Sequence, residues 1–202
     1  MAEQTGLRER KKAATKAALG LAAFRLATEK GGLEAVSPDE IAAEAGVSTR
    51  TFHNYFHSKE DALLHDFNEV ARALLADLRE RARHQPIWDA LRDASIGLHI
   101  DRRFDVATMK CREDLVKNSP TLITVQAGKF IELFTAAVDI VAEATGTDPA
   151  DLYPRLVLGS ALVAMKVANE HWIEHPQHAP LAEVITRTFA QFETGITRPI
   201  TE

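Results

Sequence analysis

With 202 residues, 46% of them hydrophobic, the chain can bury a substantial core and hold one medium or two small domains. The net charge of −5 argues against a uniformly basic nucleic-acid binder, but five basic residues against two acidic ones give residues 1–16 a charge of +3, which leaves −8 for the rest. A lone cysteine, Cys111, excludes an intrachain disulfide; the start MAEQTGLRERKK has no apolar signal region, and no apolar run nears the roughly 20 residues of a membrane span, so the expected location is the cytoplasm.

The basic residues Arg8, Arg10, Lys11, Lys12 and Lys16 form an N-terminal arm placed to reach a DNA backbone or minor groove; the bland alternative is a frayed, solubilising terminus. Periodicity predicts a first helix over Ala13 to Lys30, with Ala14, Ala17, Ala18, Leu21 and Phe24 on one side and Gly31-Gly32 as its stop. Ser37-Pro38-Asp39-Glu40 has the form of a capping box with proline at the first helical position, so a short helix begins at Pro38 and ends at Gly46. Ser48 caps another helix from Thr49. Two helices joined by so short a turn make a helix-turn-helix.

At about 100° per residue, Phe52 and Phe56 share one narrow arc of this second helix and can bury against Ile41, Ala42, Ala45 and Val47. Arg50 and Asn54 point almost directly away from the rings, and Thr51, His53 and Tyr55 spread over the remaining arc. Arginine reads guanine with two hydrogen bonds, asparagine pairs with adenine, and threonine meets a thymine methyl, so this face has the chemistry of major-groove readout. Tyr55 and Lys59 suit phosphate oxygens, as does the helix start at Ser58.

The pattern D-E-I-A-A-E-A-G-V-S-x-x-T-F-x-x-Y-F-x-S-K-E-D-x-L, from Asp39 to Leu63, resembles the DNA-binding segment of the TetR family of transcriptional regulators. The resemblance implies an all-α protein with an N-terminal three-helix helix-turn-helix domain (residues 1–57) and a larger C-terminal helical domain (58–202) for effector binding and dimerisation. It also implies a homodimer on double-stranded DNA, at a pseudo-palindromic operator, released by a small molecule. The candidate DNA-binding set is Ser37, Ser48, Thr49, Arg50, Thr51, His53, Asn54, Tyr55 and Lys59.

From Ser58 a single longer helix is predicted to about His84, because Leu63, Leu64, Phe67, Val70, Ala71, Leu74, Leu75 and Leu78 recur at three- and four-residue steps. Pro86 breaks it, and the next helix runs from Ile87 to about Ile100. Asp101 to Asn118 mixes charge with Phe104, Val106, Met109 and Leu115 and reads as a helix broken near Asp105. Pro120 to Gly146 holds a long stripe, Pro149 to His175 is apolar or small on nearly every side, and the last helix covers Leu181 to about Thr194. The last two long helices look like half of a four-helix dimer interface, the arrangement the resemblance implies, with Gly159, Ser160, Ala161, Ala164 and Ala168 allowing close approach; a monomer with the same helices buried internally is the alternative.

An apolar pocket with a few polar groups is expected from Phe67, Trp88, His99, Phe104, Met109, Phe130, Phe134, Met165, Asn169 and Trp172. The segment Asp151 to Leu156, with the helix through Trp172, is similar to a largely actinobacterial, mycofactocin-associated group of TetR-like regulators, which implies a small apolar or amphipathic effector of acyl-CoA-like type. His171, Glu174, His175 and His178, and the pair His53 and His57, lack the pattern of a zinc site, so neither a metal nor a cofactor is expected. The chain has no phosphate-cradling glycine loop and no G-x-S-x-G elbow, and Cys111 has no recognisable partner, which sets an enzyme behind a regulator. A helical ligand carrier without DNA binding is the other alternative.

Overall fold

The computed structural model describes residues 2–98, 106–175 and 177–195. These residues form ten α-helices and no strand: α1 (Ala2–Glu29), α2 (Pro38–Glu44), α3 (Thr49–Tyr55), α4 (Lys59–Leu63), α5 (His65–Arg81), α6 (Ile87–Leu98), α7 (Val106–Lys117), α8 (Pro120–Thr145), α9 (Leu152–Glu174) and α10 (Leu181–Glu193), with a 3-10 turn at Leu33–Ala35. Among them, no helix is long and apolar enough to cross a membrane.

Three boundaries differ from the sequence expectation. The first helix starts at Ala2 rather than Ala13, since the basic arm is made largely of strong helix formers such as Glu, Arg, Lys and Ala. The helix expected from Ser58 to His84 is two, α4 and α5, because the Leu64 N–H is shared between the Ala62 and Glu60 carbonyls at the end of α4. The helix expected from Pro149 starts at Leu152, after Asp151. The expected break near Asp105 lies outside the described residues.

The chain divides into two compact units, Met1–Val70 with Ala107–Ile131, and Ala71–Val106 with Glu132–Glu202. In the first, Leu19, Ala23, Ala27, Leu33, Ile41, Phe52, Leu63 and Leu64 are buried together with Leu115 and Leu122 from α7 and α8. Polar bonds tie the same elements together. Ser119 Oγ donates to Glu34 Oε1 at 3.1 Å, and Thr28 Oγ1 lies 3.3 Å from Cys111 Sγ. Gly20 of α1 lets α4 come close, because a Cβ there would sit 3.1 Å from the Ala62 carbonyl oxygen and 3.4 Å from His65 Cβ.

In the second unit, Leu78, Leu91, Val138, Ile140, Val141, Leu158, Ile185 and Phe189 form the core. Trp88 lies 4.9 Å from Phe189 and 5.9 Å from Phe192, ring to ring, and donates its indole N–H to the Phe189 carbonyl at 3.3 Å. Ala161, Ala164 and Ala168 of α9 are buried in this core. They are therefore spent inside the chain and do not supply the close approach expected of them between two copies. The outward stripe of α9 is Leu152, Leu156, Val163 and Val167, whose exposures run from 49% to 77%.

Candidate nucleic-acid interface

The site is built on α2 and α3. Ser37 and Glu40 close a complete capping box, with Ser37 Oγ accepting from Glu40 N at 3.3 Å and Glu40 Oε2 accepting from Ser37 N at 3.0 Å. Glu40 also takes the Lys30 ammonium at 2.5 Å. The hydrogen bond from Lys30, then those from Ser37, hold the Glu40 carboxyl well below its ordinary range, at about 2. Arg25 of α1 pairs with Glu44 at the far end of α2.

Gly46 turns the chain with φ of +69°, a conformation that costs glycine little, and Val47 N–H returns to the Ala42 carbonyl at 2.9 Å. Ser48 then caps α3, its Oγ accepting from Thr51 N at 3.1 Å and lying 2.9 Å from Thr51 Oγ1. Thr49 Oγ1 donates to Asp39 Oδ1 at 2.5 Å. Of these bonds the Thr49–Asp39 contact joins α3 to α2, while Ser37 and Ser48 cap the starts of α2 and α3.

Phe52 is wholly buried and Phe56 nearly so, their ring centroids 6.0 Å apart. Helical geometry then leaves Arg50 and Asn54 exposed on the opposite face; His53 is exposed at the side, its ring edge-on to Phe52 at 5.3 Å, and His57 follows just beyond the helix. Arg50 and Asn54 make no side-chain hydrogen bond or ion pair among the described residues. Such groups are ready to exchange water for base edges. His57 is a neighbour of this set that sequence reasoning weighed only as half of a metal pair; its spacing from Asn54 and His53 was the available signal.

The two expected phosphate contacts, Tyr55 and Lys59, also have partners within the fold. Tyr55 is half-buried against the core of the first unit. Lys59 points inward, donating to the carbonyls of Leu33 at 3.0 Å and Val36 at 3.1 Å, with Glu34 3.8 Å away. Leu33 opens the 3-10 turn and Val36 follows it, and the Leu33 carbonyl accepts from Val36 N as well as from the lysine. On α1, Arg8, Arg10, Lys11 and Lys12 are exposed.

The expected ligand residues are drawn from both units. Trp88, Phe134 and Trp172 pack against the core of the second unit, Met165 is half-buried on α9, and Asn169 Oδ1 is buried with no hydrogen-bond partner among the described residues. Phe67 and Phe130 belong to the first unit, Phe130 being 51% exposed. Met109 lies on α7, its side chain outside the described part, and His99 and Phe104 fall outside the described residues. An open cleft of about 630 Å³ in the first unit is lined by Thr28, Leu33, Glu34, Cys111, Asp114 and Ser119 among others and contains none of the seven whose side chains are described. Among the described residues no three His, Cys, Asp or Glu side chains could hold a metal ion. The rings of His171, His175 and His178 stack, at 4.8 and 5.2 Å, instead of converging.

Comparison with known proteins completes the site. Residues 21–65 match the family described as bacterial regulatory proteins, tetR family, and residues 85–197 match the MftR C-terminal domain. The chain is 25% identical, over 83% of its length and 84% of the relative's, to the protein of Mycobacterium tuberculosis assigned as the mycofactocin biosynthesis transcriptional regulator MftR. Among solved structures, the fold is similar to NalD of Pseudomonas aeruginosa, the secondary repressor of the MexAB-OprM multidrug efflux pump, with TM-score 0.62 and 18% identity over 92% of this chain and 97% of that one. It is also similar to the regulator FadR of Bacillus subtilis in complex with stearoyl-CoA, with TM-score 0.60 and 18% identity over 89% and 98%.

Proposed function

From the premise that the chain belongs to the TetR family of transcriptional regulators, we propose that it represses transcription from a pseudo-palindromic operator, acts as a homodimer, and is released by a small effector. Arg50, His53 and Asn54 read base edges, while Ser37, Ser48, Thr49 and Thr51 set the helix that carries them. The basic start of α1 adds backbone contacts. The carrying observation is the opposition on one short helix between buried Phe52 and Phe56 and exposed Arg50 and Asn54.

Dimerisation through the last two long helices is supported on α9 by the exposed stripe from Leu152 to Val167, since contiguous apolar surface of this kind marks an interaction site. A two-fold dimer places its recognition helices about 34 Å apart, one turn of duplex. The effector is of acyl-CoA-like type, a reading supported by the MftR-type C-terminal match and by the stearoyl-CoA held by FadR. Repression ends only if the effector binds the DNA-incompetent state more tightly than the competent one. The working compartment is the cytoplasm, where operator and effector meet.

The experiment is a titration of protein bound to its selected operator with acyl-CoAs and with unrelated aromatic drugs. Release by acyl-CoAs alone supports the reading; release by the drugs alone replaces the ligand class.

A further inference from the structure

Arg112 of α7 is half-buried, and its guanidinium carbon lies 5.2 Å over the ring of Phe24 on α1. Arg25, Arg81, Arg83 and Arg92 each hold a carboxylate oxygen within 3.3 Å. Arg112 has no hydrogen bond or ion pair among the described residues. Its surroundings are unfavourable to a bare charge: burial pushes its pKa down, and the charge of Asp66 on α5 only partly offsets this from beyond pairing distance. A cation withdrawn from water without a carboxylate partner is an incomplete arrangement.

We propose that Arg112 is the receptor for an anionic group of the effector, a phosphate or a carboxylate. The contact over the Phe24 ring occupies none of the guanidinium N–H donors as hydrogen bonds, and the planar fork of an arginine can give two of them to two oxygens of such a group at once. The ring already holds the side chain in place, so little rotamer freedom remains to be lost on binding. Asp66 carries a charge of the same sign as an arriving anion and so weakens its binding at Arg112. Because Phe24 belongs to α1, which packs against α2, the same guanidinium connects ligand occupancy to the helix bracing the recognition face.

This inference rests on the ligand-responsive reading above, and the test separates the two. Full-length protein, Arg112→Gln, Arg112→Lys and Asp66→Asn are titrated with lauroyl-CoA, coenzyme A, laurate and the uncharged methyl laurate. In parallel, phenylglyoxal labelling of Arg112 is read by mass spectrometry with and without inorganic pyrophosphate. The expected result is a dissociation constant raised about ten- to a hundredfold by Arg112→Gln for the anionic ligands that bind, less by Arg112→Lys, lowered by Asp66→Asn, and unchanged for methyl laurate. Binding of coenzyme A but not laurate assigns phosphate as the group; the reverse assigns carboxylate. If no lauroyl compound binds while pyrophosphate still protects Arg112, the ligand class fails and the anion site stands. Equal affinities in wild type and Arg112→Gln for an anion that binds, or no protection by any anion tested, overturns the proposal.

Discussion

The Lys59 ammonium donates to the Val36 carbonyl at 3.1 Å, and to that of Leu33 at 3.0 Å, so this cation secures the loop between α1 and α2. Replacing it with alanine removes the donor from two acceptors in a part-buried setting. Lys59→Ala is expected to lower unfolding free energy by about 1–3 kcal/mol, measured by urea denaturation. Its effect on operator and random DNA should be equal, whereas a purely phosphate-binding lysine would leave stability untouched.

Glu40 gives the fold a defined acid dependence. Its folded carboxyl titrates at about 2 against an ordinary value of 4.5, because Lys30 and Ser37 bond the charged form. A depressed carboxylate stabilises the fold above its ordinary pKa and loses that contribution as pH falls towards the folded value. The stability difference between wild type and Glu40→Gln should therefore be full at pH 7, shrink below 4.5 and vanish near 2. A difference that grew on acidification would contradict this.

Gly20 sits where α1 meets α4. Its missing Cβ would lie 3.1 Å from the backbone oxygen of Ala62, an atom that cannot rotate away. Gly20→Val should cost about 1–3 kcal/mol through overpacking, read as a lowered urea midpoint of the full chain. A raised midpoint would mean that α4 shifts freely.

On α9, the exposed Leu156 tests the dimer surface. If the proposed interface is right, Leu156→Glu puts an unpaired charge in it, a penalty of about 3–5 kcal/mol and so about a hundredfold or more in the dimer constant. Sedimentation should find monomer, with operator binding weakened in step. Dimer of undiminished affinity would move the interface elsewhere.

Much of the reading head was legible because its signals are local. Ser37 to Glu40, Gly46 and Ser48 each specify a cap or turn within a few residues, and the four-residue step from Phe52 to Phe56 orients α3 by itself. Lys59 was not legible, since its acceptors lie 23 and 26 residues earlier and only tertiary folding brings them within reach. Nor were Ala161, Ala164 and Ala168, for small residues permit close approach equally within a chain or between chains. The inclusion of α7 with the first unit, through Leu115, Cys111 and Arg112, had no periodic stripe to announce it.

The central claim is that Arg50 and Asn54 are turned outward to base edges because Phe52 and Phe56 are turned inward. Its most direct measurement is selection of binding sites from random duplexes, followed by affinity of Arg50→Ala and Asn54→Ala for the selected site and its single-base variants. The account predicts a two-fold symmetric site, and in each variant a loss of about 1–3 kcal/mol of discrimination at one base pair per half-site, with folding stability unchanged. Selection of no preferred sequence from low to moderate salt, or variants that keep the full base preference of the wild type, would contradict it.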